Sequence, residues 1–256
     1  MTAPAKGVAP PRRVLIIKPS ALGDVVTALP VLRGLRRSFP EAHLAWLVAA
    51  PFAPLIAHDA DLDETILFER RRLGRAWRSP GALRDLGAFL AGLRRGRVDW
   101  VVDLQGLLRS GLFALASGAA VRAGFADARE GAAACYTHRV RPARRHTVDR
   151  NIDLARALGA DAREEDLTLQ IAPAARGFAA RFRRERLGGA EFLACVPATT
   201  WATKAYPVRH WRTVAAALAR RLSVVLLGGP GDRALCARLA EGLAPGVLDL
   251  SGQTDA

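Results

Sequence analysis

Short runs of branched or leucine-rich residues alternate along the chain with segments whose apolar residues recur every three or four positions. Residues 14–17 (Val-Leu-Ile-Ile) read as a buried strand between Arg13 and Lys18. Residues 19–23 read as a turn. From Asp24 the apolar residues Val25, Ala28, Leu29, Leu32 and Leu35 follow helical spacing, with a stop before Pro40. Residues 43–48, 65–68, 100–104 and 121–124 are further predicted strands. Residues 51–57, 84–93, 107–116 and 148–158 are predicted helices, the last closed by Gly159. Strands alternating with helices at these spacings predict a parallel sheet with crossover helices.

The alternation pauses over residues 161–175, where Glu164, Glu165, Asp166 and Pro173 fall without periodicity, and this stretch reads as an interdomain connection. It resumes with strands over 192–196, 223–227 and 247–250 and helices over 208–222 and 233–243. The predicted class is α/β: a disordered tail over 1–12, a Rossmann-like domain over 13–165 and a second over 166–256. Thr254 and Asp255 read as the cap of a helix that does not follow, so the second domain is expected to be incomplete.

A chain that is 50% hydrophobic and 24% charged is not disordered throughout. The three cysteines, Cys135, Cys195 and Cys236, form no Cys-x-x-Cys pair, which excludes a zinc ribbon or redox dithiol and fits a reduced cytoplasmic setting. Residues 1–13 lack the apolar run of a secretory signal. The longest apolar stretch, 44–57, contains Pro51 and Pro54 and falls short of the roughly 20 residues that span a bilayer. The net charge of +14 favours an anionic partner, although a compositional preference for arginine accounts for it equally well. Only three lysines occur, and two of them, Lys18 and Lys204, closely follow predicted strands. Aromatic residues make up 6% and do not interleave with basic ones, so no nucleic-acid partner is expected.

Three strand-to-helix loops hold candidate chemistry. Lys18-Pro19-Ser20-Ala21-Leu22-Gly23-Asp24 is neither a Walker A loop nor a dinucleotide fingerprint. Its Asp24 reads either as a helix cap or as a general base for a sugar hydroxyl. Ala198-Thr199-Thr200-Trp201-Ala202-Thr203-Lys204 reads either as a phosphate-binding loop or as a threonine-rich cap with a solvated lysine. Gly228-Gly229-Pro230-Gly231-Asp232 reads as a tight turn or as a close approach for a ligand. Asp103-Leu104-Gln105-Gly106 ends a strand on the same edge and either lines a cleft or caps the next helix. Arg70, Arg71, Arg72 and Arg75 form either a solvated run or a docking patch for an acidic substrate. His58, His138, His146 and His210 have no metal-ligand spacing, so no metal is expected.

Taken in order, the first loop, Asp103-Leu104-Gln105-Gly106-Leu107, Arg129-Glu130, His146-Thr147-Val148-Asp149-Arg150, and Thr199-Thr200 with Lys204, Pro207 and Trp211 resemble the family 9 glycosyltransferases. The resemblance implies a GT-B fold and inverting, metal-independent transfer of heptose from ADP-heptose to the Kdo of lipopolysaccharide inner core, with no cofactor. The acceptor would be Kdo-lipid A, and the enzyme would sit peripherally on the anionic inner face of the bacterial inner membrane. On the family pattern Asp24 is the base. Lys18, Ser20, Gly23, Thr199, Thr200 and Lys204 would serve the donor, and Arg71, Arg72, Arg75, Gln105 and Arg129 the acceptor. The family's Asp-Thr-Gly-x-x-His segment does not occur before Ala256. The alternatives are transfer to another acceptor within the family, or a non-catalytic remnant that binds anions only.

Overall fold

Strand β1 (Arg13–Ile17) is the hub of the larger sheet, and Val14, Leu15, Ile16 and Ile17 are buried on both of its faces. The computed structural model describes residues 9–69, 79–199, 201–243 and 245–254, in two compact units that meet in sequence between Gln170 and Ile171. In the first unit β1 is followed by α1 (Leu22–Val26), α2 (Leu29–Ser38), β2 (His43–Ala49), a 3-10 turn (Ala50–Leu55) and β3 (Glu64–Phe68). Next come α3 (Pro80–Arg95), β4 (Trp100–Asp103), α4 (Leu108–Ser117), β5 (Val121–Phe125), β6 (His138–Val140) and α5 (Thr147–Ala157). The six strands pair in parallel in the order β3-β2-β1-β4-β5-β6. One apolar layer, containing Leu32 of α2 and Ile152 of α5, covers one face of the sheet; a second, containing Leu93 of α3 and Phe113 of α4, covers the other.

The second unit runs through α6 (Pro173–Leu187), β7 (Phe192–Cys195), α7 (Val208–Leu218), β8 (Ser223–Leu226), α8 (Arg233–Ala240) and β9 (Val247–Asp249). Its three strands are parallel in the order β7-β8-β9, with Val224, Leu226, Cys236 and Leu239 in the core. The predicted α/β class, with parallel sheets and crossover helices, is the fold observed. Among the described residues no helix is long and apolar enough to cross a membrane.

Several predicted boundaries move, each for a local reason. The helix predicted from Asp24 to Pro40 is two helices, because Pro30 in the first turn of α2 has no N–H and its ring excludes the preceding carbonyl. The first begins at Leu22, which places Gly23 and Asp24 inside a helical turn rather than before it. Residues 161–170 belong to the first unit: Asp166 is buried against Arg37, the Thr168 carbonyl accepts from Arg33, and Gln170 Oε1 accepts from the Ala60 amide. The expected tail is tied down at its end, where Pro11 is buried and the Arg12 amide donates to Asp99 (2.8 Å); residues 1–8 lie outside the described residues. Helix α6 covers ground read in part as a connection. Its Pro173 start, alanine- and arginine-rich body and Gly188 stop (φ +58°) favour a helix, but Leu187 alone is buried, so no apolar periodicity announces it.

One contact fixes the end of β4. Asp103 is fully buried; its Oδ2 accepts from the Tyr136 hydroxyl (2.7 Å), and its Oδ1 accepts from the amides of Gln105 (2.9 Å) and Gly106 (3.3 Å). Burial pushes the Asp103 carboxyl above the usual carboxylate range, and these donors pull it partway back. Burial and the adjacent carboxylate push the Tyr136 phenol up, so it remains a donor. The ring reaches Asp103 only because position 124 has no side chain: a Cβ on Gly124 would lie 2.3 Å from Tyr136 Cε2.

Gly124→Ala is therefore expected to displace Tyr136 and destabilise the fold by about 1–3 kcal/mol. An unchanged urea midpoint would show that the ring has room to move. Because the Asp103 pKa is raised on folding, its contribution is present at low pH and lost as pH rises through the folded value. Tyr136→Phe removes a donor that favours the carboxylate, so its cost should be greater at a pH above the folded Asp103 value than at one below it, by about 1–2 kcal/mol. Denaturation at the two pH values checks this, and equal losses would contradict it.

Candidate active site

The strand order reverses between β1 and β4, and the carboxyl ends of these strands form the crevice in which α/β folds bind ligands. A cavity of about 370 Å³ opens there, entirely within the first unit, lined by Lys18, Asp24, Gln105, Arg129, Arg150 and Asn151 among others. Lys18 follows β1 directly and is 5% exposed; its ammonium donates to the Leu104 carbonyl at the end of β4 (2.9 Å). Burial lowers the Lys18 pKa, while the charges of Asp24 and Asp103 partly restore it. Lys18 thus bridges the two central strands at their ligand edge.

Asp24 is half-buried in the first turn of α1. Its Oδ2 accepts from the Ala21 amide (3.1 Å), and its Oδ1 has no hydrogen bond among the described residues. One oxygen thus caps the helix, as one reading of Asp24 expects, and the other is open. On the cavity's other side, Arg129 follows a turn joined to β4 by its own amide, which donates to the Gly106 carbonyl (2.9 Å). Its exposed guanidinium has no partner among the described residues. Arg150, in the first turn of α5, pairs with Asp127 (2.7 Å) and lies 4.7 Å from the centre of the Phe125 ring. Asn151 is buried and donates to the Thr27 carbonyl (3.0 Å), holding α5 to the end of α1.

A neighbouring hollow of about 250 Å³ is lined by Ser20, Phe68, Gln105, Arg109, Ser110 and Glu130, among others. Gln105 lines both hollows, and its Oε1 is buried without a partner. Asp103 is fully buried, lines neither hollow and ties the turn, so at this strand end Asp103 holds the backbone and Gln105 lines the cavities. Gly23 presents open space, with nothing within 4 Å of where a Cβ would stand. Arg71, Arg72 and Arg75 lie outside the described residues.

In the second unit the loop after β7 holds Thr199, whose Oγ1 accepts from the Trp201 amide (3.3 Å), and a 3-10 turn (Ala202–Lys204). Lys204 and Trp201 are exposed, and the Lys204 ammonium has no partner among the described residues; Thr200 lies outside them. In the glycine-rich loop after β8, Asp232 closes the turn by accepting from the Gly229 amide (2.8 Å), and a Cβ on Gly228 would stand 2.9 Å from that of Asp232. The tight-turn reading fits that loop.

The structure thus gathers Lys18, Asp24, Gln105 and Arg129 at one cavity, sets Ser20 in the adjoining hollow, and places Thr199 and Lys204 together on the other unit. Sequence reasoning missed Arg150 and Tyr136 as parts of this site. Arg150 lay within a quoted motif, and its place in the first turn of a helix near the ligand edge was the available signal. Tyr136 had none, because its partner is 33 residues away.

The family model for glycosyltransferase family 9 (heptosyltransferase) matches residues 86–255. Lipopolysaccharide heptosyltransferase 1 of Escherichia coli K12 is 30% identical over 239 residues, covering 91% of this chain and 73% of that protein. The Pseudomonas aeruginosa protein of the same name is 32% identical over 244 residues, covering 90% and 65%. The solved structure of the E. coli heptosyltransferase WaaC with ADP superposes with a TM-score of 0.76 at 30% identity, covering 93% of this chain and 74% of that one. A family match over residues 86–255, together with relatives aligned along nine-tenths of the chain, establishes that it belongs to glycosyltransferase family 9 and is a glycosyltransferase.

Proposed function

We propose that the chain is a lipopolysaccharide heptosyltransferase of type I, moving heptose from ADP-heptose to the Kdo of the inner core on the cytoplasmic face of the inner membrane. The observation that carries this reading is the open Oδ1 of Asp24 in a cavity it shares with Lys18, Arg129 and Arg150. An acidic acceptor sugar is attracted by the cations, and its hydroxyl needs one carboxylate to take a proton. The curated relatives cited above are named heptosyltransferase 1, and a solved structure of WaaC holds ADP-2-deoxy-2-fluoro heptose, which supports a nucleotide-sugar donor.

The acceptor hydroxyl transfers its proton to Asp24 Oδ1 as its oxygen bonds to the anomeric carbon of heptose. The bond from that carbon to the diphosphate oxygen breaks, its electron pair leaves with ADP, and the configuration inverts. Negative charge grows on the diphosphate as it departs. Lys204 and the hydroxyls of Thr199 and Thr200 would receive it, since donors placed at developing charge lower the barrier. Arg129, with Arg71, Arg72 and Arg75, would engage the acceptor's carboxylates and phosphates, and Gln105 its hydroxyls. Lys18, donating to Leu104, would act on the reaction through its charge beside Asp24.

Asp24→Asn should lower kcat by about 10²–10⁴-fold and leave ADP affinity within about twofold of the parent. Steady-state kinetics and calorimetry check the pair, and equal turnover would remove Asp24 as the base. Lys204→Ala should weaken ADP binding by about tenfold. Unchanged ADP affinity would remove Lys204 from the diphosphate site.

A further inference from the structure

The outer face of α4 has the wrong polarity for water. Its buried positions are Ser110, Gly111, Phe113, Ala114 and Ser117, whereas Leu108, Leu112 and Leu115 are 42%, 47% and 49% exposed. Spaced four and three residues apart, these leucines form one continuous stripe. The helix has no acidic residue and a single charge, Arg109. Beside it α3 presents Leu83, 60% exposed, with exposed Gly87, Ala88, Ala91 and Gly92. Exposed arginines stand at both ends of this apolar field. Arg84 and Arg109 stand toward the helix starts, and Arg94 and Arg95 toward their ends, where a Cβ on Gly118 would lie 2.2 Å from the Arg94 guanidinium. Glu130, the acid nearest the start of α4, accepts from the Leu108 amide (3.2 Å).

We propose that this face of α3 and α4 is where the protein lies on an anionic phospholipid surface. Leucines flanked by basic residues are the arrangement by which a helix sits in the headgroup layer, its apolar side in the acyl boundary and its cations on lipid phosphates. The stripe starts at the ligand edge, since Leu107 and Arg109 line the same hollow as Ser20 and Gln105. A bilayer against it would bring lipid headgroups to the rim of the site, which suits a lipid-linked acceptor. The inference deepens the functional reading above, but its test requires no transfer reaction.

The purified chain should co-sediment with phosphatidylglycerol vesicles and far less with phosphatidylcholine vesicles. Leu112→Ser combined with Leu115→Ser should reduce that partition by about tenfold, and Leu112→Trp should raise it. Neither leucine lines a cavity described above, so transfer to a water-soluble, lipid-free Kdo saccharide should be unchanged in the double variant. Absence of transfer in parent and variant alike would count against the proposed reaction and not against the surface. Equal partition of parent and double variant would overturn the proposal, since binding would then rest on the arginines alone. Conversion of a parent dimer to monomers by the same substitutions, seen by analytical ultracentrifugation, would overturn it in favour of self-association.

Discussion

An ionised carboxylate without solvent costs several kcal/mol unless donors surround it, and Asp103 ends the strand that meets β1 at the ligand edge. Its two oxygens are occupied by a phenol and two backbone amides, which together define the shape of the turn that follows. The Leu104 carbonyl is consequently turned toward Lys18, Gln105 toward the two hollows, and the Gly106 carbonyl toward the Arg129 amide. Positions carrying opposite charges and coming from distant stretches of sequence are thus set by one buried acid. Loosening it would move a cation, an amide side chain and the arginine loop together.

The same order of cause separates what was legible in the sequence from what was not. The strands β1, β2 and β4 could be read because a central parallel strand is buried on both faces and must be apolar throughout. The candidate loop after β1 could be placed because topology puts strand ends and helix starts on one edge. Helix α6 could not be read from apolar periodicity, since it buries only Leu187 and forms through propensity and its Pro173 and Gly188 ends. The three-residue β6 offers no apolar run at all. The Tyr136–Asp103 bond depends on the missing side chain of Gly124, a steric condition visible only once two strands and a loop are in place.

Charge shows a related division. Many of the arginines behind the net charge of +14 are committed to structure: Arg33 to Asp59 and Asp61, Arg36 to Asp63, Arg37 to Asp166, Arg144 to Asp149 and Glu164. Planar guanidinium groups suit such shared, multi-point pairing. Among the described residues, Lys18, Arg129 and Lys204 form no ion pair with a carboxylate, and each lies on a loop following a strand. Net charge alone therefore overstates how much of the basic surface is available to a ligand, while the position of the unpaired cations locates it.

Those cations also differ in their surroundings. A buried lysine whose charge is disfavoured by desolvation and sustained by two carboxylates is sensitive to any further negative charge placed beside it. An anion entering that cavity would favour the ammonium form. Arg129 is exposed, and its planar guanidinium is shaped to pair with an anion through two hydrogen bonds. Lys204 stands on the second unit in an exposed turn. A cation on a short open turn keeps its hydration until an anion displaces it, whereas the buried Lys18 ammonium has already lost most of its own.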